Sequence, residues 1–328
     1  YTLWHTLSLH DALPISAPYD HAVFSTPEYV PSFFEGRCSI ITPAIDPLSD
    51  KNRDIASPDL MEILYKGGMI QNGHHRHLNP AWKRKVLRLN AGGKFVRTND
   101  GDGFELLFRP TVTQISRWDR LKGWDSLIEG FVGLKRKYRS NGHATSPHGL
   151  RLAATQLVLA GPEPSAVQDD PEGKGVLDDL CGFYRGLPPA DQKDISILSL
   201  PMSSRPRNHL MVNALQRSSA LVVQNSLQEG FGLTATEAMW KRIPVLGTSA
   251  CGLRRQIRDG KDGRLTRNPA DSREIADKLE GMLVKPARLE KWGRSAQKRV
   301  YRNFLVFNQI EKWLRCIGET LPRHSASH

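Results

Sequence analysis

The sequence lacks the long apolar runs of a membrane protein and the paired cysteines of a structural metal site. No apolar run approaches the ~20 residues that a membrane-spanning helix requires, so we expect no membrane association. The few cysteines are scattered without the paired spacing of metal ligands: Cys38, Cys181, Cys251 and Cys316. Such sparse cysteines are typical of a reducing compartment, which predicts a cytoplasmic protein.

The sequence also has no excess of acidic residues. Its 46 lysines and arginines outnumber its 34 aspartates and glutamates, which gives a net charge of +12. This charge is compatible with nucleic-acid binding, but the basic residues form no arm and carry no recognition motif. Two clusters, Lys83-Arg84-Lys85 and Lys135-Arg136-Lys137, are expected on the solvated surface. We therefore predict no nucleic-acid partner, and part of the charge would attract an anionic substrate.

Residues 220–260 are the part of the chain around which the rest is organised. Residues 220–223 predict a buried parallel strand, residues 234–242 a helix, and residues 245–247 a second strand. The first strand and the helix are joined by Glu229-Gly230-Phe231-Gly232. Such a turn places backbone N–H groups and a positive helix end at the carboxyl edge of a sheet, where anionic ligands bind.

Two carboxylates, Glu229 and Glu237, lie eight residues apart in this unit. Acids would repel a phosphate, but they accept hydrogen bonds from sugar hydroxyls. The pattern therefore indicates a phosphate flanked by sugars. The alternative is an ordinary βαβ unit with two glutamates on its surface.

The Glu-x7-Glu spacing with Gly-Phe-Gly inside it resembles the donor-site motif of family 4 retaining glycosyltransferases, which have the GT-B fold. The neighbourhood EGFGLTATEAMWKRIPVLG is most similar to nucleotide-sugar-dependent trehalose synthases and retaining trehalose phosphorylases. The resemblance implies that Glu237 binds the ribose and Glu229 the donor hexose. It also implies that the loop and helix start face the phosphate or sugar, through Gly230, Phe231, Gly232, Leu233 and Thr234.

Two cations follow the first predicted strand of this domain, in the segment Ser116-Arg117-Trp118-Asp119-Arg120-Leu121-Lys122. A position after the carboxyl end of a strand suits phosphate binding, and an arginine can grip two oxygens. The segment resembles the family's S-R-x-D-x-x-K motif, which implies that Arg117 and Lys122 hold the donor phosphates and act with Glu229 in catalysis. The alternative is two loop cations on a basic protein.

The predicted fold class is α/β: a doubly wound, parallel-sheet, Rossmann-like C-terminal domain of a GT-B fold, with only a remnant of the N-terminal Rossmann domain. Six short strands alternate with helices in residues 109–302, the expected donor-binding domain. The helix predicted at residues 124–138 has a buried stripe of Leu127, Ile128, Phe131 and Leu134. Residues 303–328 are expected to form a crossover helix and tail, whose apolar face would be exposed without the N-terminal domain.

The remaining segments are predicted to carry less of the site. Residues 1–16 resemble a non-native lead-in, and residues 17–56 resemble the end of the acceptor-binding domain and the linker, so most of that domain is expected to be absent. Residues 57–108 are predicted to be an irregular insertion. We expect its histidines to be solvated rather than metal ligands: His74, His75 and His77.

The resemblance implies a hexosyltransferase that moves glucose from ADP- or UDP-glucose to glucose, with retention, and so forms trehalose. Two alternatives stay open: a retaining trehalose phosphorylase that converts trehalose and phosphate to glucose and glucose 1-phosphate, and a nucleotide-binding fragment without turnover. The expected partners are a nucleotide sugar and a sugar acceptor, with no cofactor and no metal. A homodimer is left open.

One position departs from the family pattern. The family usually has a Gly-Gly pair after the second strand, whereas this chain has Ala250-Cys251-Gly252. Cys251 adds a Cβ where the backbone is expected to pass near the donor, so the donor preference stays open.

Overall fold

A computed structural model describes residues 19–70, 82–97, 106–140, 145–164 and 171–320. The strands in these ranges are β1 (Ala22–Phe24), β2 (Cys38–Ile40), β3 (Leu87–Leu89), β4 (Phe95–Arg97), β5 (Thr111–Ile115), β6 (Gln156–Pro162), β7 (Ile195–Leu200), β8 (Leu221–Gln224), β9 (Val245–Thr248) and β10 (Gly263–Thr266). The helices are α1 (Ser57–Lys66), α2 (Trp124–Ser140), α3 (Pro147–Ala154), α4 (Pro171–Gly186), α5 (Pro189–Gln192), α6 (Arg205–Arg217), α7 (Leu233–Trp240), α8 (Cys251–Gln256), α9 (Ser272–Leu283), α10 (Pro286–Asn303) and α11 (Val306–Thr320).

Eight of these strands form one sheet in the order β10-β9-β8-β5-β6-β7-β3-β4. The six strands from β10 to β7 pair in parallel, which confirms the predicted α/β class and its parallel sheet. Parallel strands require crossover connections, and the intervening helices supply them. The central strands β5, β7 and β8 are buried along their whole length because both faces of the sheet are covered.

The central strand β6 shows how the two faces are filled. Leu157 and Leu159 belong to a core cluster with residues of α2, whereas Val158 and Ala160 belong to a second cluster with residues of α6. Alternate residues of a strand point to opposite faces, so one apolar strand supplies both cores. The stripe predicted on α2 is buried in the first cluster: Leu127, Ile128, Phe131 and Leu134.

The described parts of segment 57–108 contain regular secondary structure, which corrects the prediction of an irregular insertion there. The segment contains α1 and a hairpin of β3 and β4 that extends the sheet antiparallel at its β7 edge. Strands of three residues are too short to give a periodic signal, and pairing with β7 fixes them instead. The cluster of His74, His75 and His77 lies outside the described residues.

Lys135 is buried rather than solvated, which corrects the surface prediction for its cluster. It lies four residues after Phe131 and therefore on the buried stripe of α2. Its Nζ donates to backbone oxygens at the end of α3, including Thr155 O at 2.8 Å, and lies 3.3 Å from Asp194 Oδ2. Burial lowers the pKa of Lys135 to about 8. Lys135 of α2 therefore donates hydrogen bonds to carbonyl groups at the end of α3, where a helix leaves its last carbonyls without intrahelical partners.

The segment that precedes the large sheet domain and the segment that follows it are joined by backbone hydrogen bonds. Ile45 N–H donates to Phe304 O at 2.9 Å, and Val306 N–H donates to Ile45 O at 3.0 Å. Helix α11 follows this crossing, and five of its apolar side chains are 42–65% exposed: Phe307, Ile310, Trp313, Leu314 and Ile317. Among the described helices, none combines the length and apolar composition needed to cross a bilayer.

Helix α10 approaches the end of α7 most closely at Gly293. A Cβ there would lie 1.9 Å from the backbone O of Arg242, which has a left-handed φ of 63°. We expect Gly293→Ala to lower the free energy of unfolding by about 1–3 kcal/mol, the usual cost of overpacking. Urea denaturation followed by circular dichroism measures this change.

Gly133→Ala is the matched control, because Gly133 is exposed in α2 and a Cβ there would have nothing within 4 Å. This control should stabilise the protein by about 0.5–1 kcal/mol through helix propensity. Equal effects of the two substitutions would contradict the close approach at Gly293.

Candidate functional site

The carboxyl ends of two neighbouring parallel strands bring three of the predicted residues to one edge of the sheet. Arg117 and Lys122 follow β5, and Glu229 follows β8. Lys122 Nζ lies 2.8 Å from Glu229 Oε2, and the two side chains are only 13% and 15% exposed. Two segments 107 residues apart in the chain therefore meet in one ion pair.

The position of Lys122 is fixed by the turn that carries it. Asp119 caps the 3₁₀ turn Arg120–Lys122 by accepting from Leu121 N–H at 2.8 Å. Gln114, inside β5, donates to Lys122 O at 2.9 Å and accepts from Asn225 N–H at 2.8 Å. The aspartate of the Ser-Arg-x-Asp-x-x-Lys segment thus shapes the turn, and β5 and the segment after β8 hold it in place.

Gly123 ends this turn with a left-handed φ of 57°. A Cβ there would lie 2.4 Å from Asn225 O, so the close approach of the two segments requires glycine. Asn225 Nδ2 donates to Gly123 O at 2.9 Å and to Pro269 O at 3.0 Å. The ends of β5 and β8 are therefore locked together next to the ion pair.

Glu229 accepts three hydrogen bonds on one carboxylate oxygen. In addition to Lys122, Ser226 Oγ lies 3.1 Å and Gln224 Nε2 lies 3.2 Å from Glu229 Oε2. Among the described side chains none donates to Oε1, so that oxygen is available to a ligand hydroxyl. The lysine offsets the carboxylate charge, which lowers the repulsion that Glu229 alone would exert on an anion.

Arg117 is exposed at the same edge, and its side chain makes no hydrogen bond or ion pair with any described residue. The next residue, Trp118, is buried and donates from Nε1 to Pro162 O at 2.7 Å. The backbone is therefore anchored while the guanidinium stays open to solvent. Such a cation can bind a phosphate without first breaking an internal contact.

The glycine loop before α7 is held from beneath by its aromatic residue. Phe231 is 6% exposed and packs edge-on against Phe304 with ring centroids 5.7 Å apart. Gly232 is the N-cap of α7 with φ of 86°, and a Cβ there would lie 2.8 Å from Leu253 Cδ2. The Phe231 side chain is therefore a core residue, and only backbone groups are left to serve a ligand at this position.

The first turn of α7 contains the two other predicted loop residues. Leu233 is 41% exposed and begins the helix, and Thr234 follows it as a half-buried residue. Thr234 O accepts a hydrogen bond from Gln216 Nε2 at 3.3 Å. The helix start thus faces the carboxyl edge with its N-terminal end, where the helix dipole favours an anion.

The glycine that the loop requires is Gly252, not the position occupied by Cys251. A Cβ at Gly252 would lie 2.4 Å from Phe231 Cα, and Gly252 N–H donates to Glu229 O at 3.2 Å. Gly252 is retained in this chain. The departure from Gly-Gly therefore falls on the neighbour that begins α8, and its side chain lies outside the described residues.

Glu237 lies in the middle of α7 and is 4% exposed. Its Oε1 lies 2.8 Å from Lys51 Nζ, on the linker that precedes α1. Its Oε2 is buried and has no hydrogen-bond partner among the described residues. A buried carboxylate oxygen without a donor is costly, and a ligand hydroxyl would remove that cost.

Lys241 lies one turn after Glu237 and is also buried. Its Nζ donates to Asn52 Oδ1 at 3.1 Å and to Glu237 O at 3.2 Å. Burial lowers the pKa of Lys241 to about 7, although the Glu237 charge opposes this shift. Two residues of the segment before α1 therefore bond to Glu237 of α7 and to Lys241, which directly follows this helix.

Several residues of this arrangement were not predicted from the sequence. Gln224 and Ser226 support Glu229, and only their proximity to it in the chain could have indicated this. Lys51 and Lys241 surround Glu237, and the spacing of four residues from Glu237 was a usable signal for Lys241. Within the described ranges, no group of three or more His, Cys, Asp or Glu side chains is placed to hold a metal ion.

Residues 206–299 match the model of the family Glycosyl transferases group 1. The chain is 30% identical to the trehalose synthase of Pyrococcus horikoshii over 90% of this chain and 56% of that protein. It is 25% identical to the trehalose phosphorylase of Pleurotus sajor-caju over 95% of this chain and 37% of that protein. The chain thus spans little more than half the length of the trehalose synthases it matches.

Solved structures share the fold. Sucrose-phosphate synthase from Thermosynechococcus elongatus superposes with a TM-score of 0.62 at 15% identity, over 96% of this chain and 62% of that one. Anabaena Alr3699/HepE, solved in complex with UDP-glucose, superposes with a TM-score of 0.63 at 14% identity, over 94% of this chain and 66% of that one. These likenesses confirm the predicted GT-B-type fold.

The lowered pKa of Lys241 predicts a pH dependence of stability. Between pH 7 and pH 10.5 the unfolded lysine keeps a proton that the folded one has released, so the unfolded state binds more protons and stability rises with pH. Below pH 7 both forms are protonated and the full cost of burying the charge remains. Lys241→Met removes this contribution.

Urea denaturation of both proteins at several pH values measures the effect. The wild type should gain stability relative to Lys241→Met, by up to about 1.4 kcal/mol per pH unit in that window. Asn52, which loses its donor in the variant, contributes a constant offset only. A difference that does not change with pH would show that Lys241 keeps its proton when folded.

Proposed function

We propose that the chain binds a nucleoside-diphosphate glucose for a retaining hexosyltransferase. Residues 206–299 match the family Glycosyl transferases group 1, and the chain is similar to trehalose synthases and trehalose phosphorylases over most of its length, which supports this proposal. The observation that carries the proposal is the edge formed by Arg117, Lys122 and Glu229. It combines an open cation, a fixed cation and a hydroxyl acceptor at the carboxyl ends of adjacent parallel strands. A diphosphate attached to a sugar requires this combination.

Each predicted residue has a role in this proposal. Arg117 and Lys122 hold the diphosphate, and Glu229 accepts from hydroxyls of the donor hexose through Oε1. Glu237 accepts from the ribose, which supplies the donor that its buried Oε2 lacks. The backbone at Gly230, Gly232 and the start of α7 faces the phosphate.

In the proposed transfer, negative charge develops on the leaving diphosphate. The bond between the anomeric carbon and the diphosphate oxygen breaks, and a bond to the acceptor hydroxyl oxygen forms on the same face of the ring. The acceptor proton passes to the departing diphosphate. Arg117 and Lys122 stabilise the negative charge that grows on the leaving group, and a contact of this kind typically contributes about 3 kcal/mol to lowering the barrier.

We propose glucose as the acceptor and trehalose as the product, on the support of the named relatives. A retaining trehalose phosphorylase is the second candidate, because proteins of that name match over 95% of this chain. In that case, inorganic phosphate would occupy the place of the nucleotide diphosphate. The same cations would then serve the phosphate and glucose 1-phosphate.

Calorimetric titration of the chain with UDP and with ADP tests nucleotide binding. We expect saturable binding of at least one nucleotide, and we expect Arg117→Ala to weaken it by about tenfold or more, since a charge-assisted contact to phosphate is lost. Arg294→Ala is the control, because Arg294 is an exposed cation whose 2.7 Å partner, Glu290, lies one helical turn away. Equal binding by the two variants, or no binding of either nucleotide by the wild type, would contradict the donor site.

Incubation with trehalose separates the two reactions in a form that turns over. Trehalose plus UDP or ADP should yield a sugar nucleotide if the protein is a synthase, and trehalose plus phosphate should yield glucose 1-phosphate if it is a phosphorylase. Arg117→Ala or Lys122→Ala should lower kcat by about 100- to 1,000-fold in either case. Near-normal turnover in both variants would refute the catalytic assignment, and nucleotide binding without any turnover would favour a binding role alone.

A further inference from the structure

The β3–β4 hairpin places basic residues at the same edge of the sheet as the candidate donor site. Strand β3 runs antiparallel to β7, with Leu87 opposite Ser199 near the end of β7. Residues that precede Leu87 therefore lie beyond the carboxyl end of β7. Arg97 is paired with Leu87 on the next strand and lies at the same end of the hairpin.

These residues line a depression of about 230 Å³. Its charged walls are Lys83, Arg84, Lys85 and Arg97, and Glu163 is the one carboxylate among its described lining residues. Arg84 Nη1 lies 3.9 Å from Glu163 Oε1, which leaves an excess of three positive charges among the described residues of the depression. The volume is below the ~300–1,000 Å³ of pockets for drug-sized ligands, so it suits one small anionic group.

The basic segment is held in place at its base. Val86 is fully buried, and its N–H donates to Gly67 O at 2.9 Å. The stem of Lys85 packs beside Gly68, where an added Cβ would lie 3.1 Å from Lys85 Cβ. The cations are thus brought together by a fixed backbone, although their mutual repulsion opposes this arrangement. Binding of an anion would relieve that repulsion.

The depression is distinct from the residues used in the proposed transfer. Strands β5 and β7 are separated only by β6, so their ends lie about 10 Å apart at the usual strand spacing. Arg117 and Lys122 follow β5, whereas Ser199 and Pro201 of the depression belong to the end of β7. A ligand here would sit beside the donor edge without using its cations.

We propose that Lys83, Arg84, Lys85 and Arg97 form a second anion site, which binds the phosphate dianion of inorganic phosphate or of a small phosphorylated sugar. A dianion would compensate two of the three excess positive charges, and arginine side chains can bind two phosphate oxygens at once. A concave site with one carboxylate is suited to a compact group rather than to an extended nucleic-acid backbone. The site is independent of whether the chain transfers glucose.

The test uses the Arg117→Ala protein, so that phosphate binding at the donor edge is weakened from the start. Inorganic phosphate and glucose 6-phosphate are titrated in separate experiments at constant ionic strength, because salt screens exposed charges. The variant Arg84→Gln with Arg97→Gln is compared in this background. Both side chains are exposed, so the fold should be retained, and thermal unfolding monitors it.

The double variant should bind the phosphate probe at least about tenfold more weakly, since two charge-assisted contacts are lost. The control carries Arg294→Gln and Arg315→Gln, which neutralise two exposed cations in i,i+4 pairs. Its affinity should be unchanged. Tighter binding of glucose 6-phosphate than of inorganic phosphate would identify a phosphorylated sugar as the ligand, and equal binding would identify the free anion.

Two results would overturn the proposal. One is phosphate binding that is absent from the parent protein or equal in the double variant and its control. The other is a short single-stranded oligonucleotide that binds more tightly than either phosphate probe and loses affinity through Arg84→Gln with Arg97→Gln. The second result would assign the surface to nucleic acid instead.

Discussion

The ion pair between Lys122 and Glu229 is the contact on which the rest of the candidate site depends. It joins the segment after β5 to the segment after β8, and it offsets the charge of a carboxylate beside the edge where we propose that an anion binds. An ion pair with little exposure is stable only when its remaining polar groups are satisfied. Ser226 and Gln224 meet part of that requirement on Glu229, and Asp119, Gln114 and Asn225 fix the two backbones that carry the pair. The parallel pairing of β5 with β8 brings these two backbones together.

Most of the sheet could be predicted because its strands are apolar runs separated by helices with a clear buried stripe. The parts that could not be predicted depend on distant partners. Strands β3 and β4 have three residues each and exist because β7 offers an open edge. Lys135 looks like a surface lysine, and only its spacing from Phe131 places it inside. Long-range pairing leaves no local pattern, and a single buried charge is marked only by its spacing from apolar neighbours.

The candidate site likewise has residues that a local motif predicts and residues that depend on distant partners. Glu229, Glu237, Arg117 and Lys122 were predicted because a spaced motif carries them, and the structure brings Lys122 and Glu229 into contact. The contacts of Glu237 involve a linker almost two hundred residues earlier, so no motif spans them. Phe231 shows the opposite case. It lies in the motif, but its side chain packs against Phe304 and belongs to the core.

The contact between Lys51 and Glu237 joins the linker to the inside of the sheet domain. A ligand hydroxyl that bonds to Oε2 of Glu237 would share this carboxylate with Lys51, which holds Oε1. Because both contacts are made on one side chain, movement of the linker would change the affinity for that ligand, and the ligand would change the strength of the linker contact by the same factor. Asn52 and Lys241 extend this coupling by a second bond. In this proposal, the entry to the domain is therefore coupled to the occupancy of the proposed nucleotide subsite.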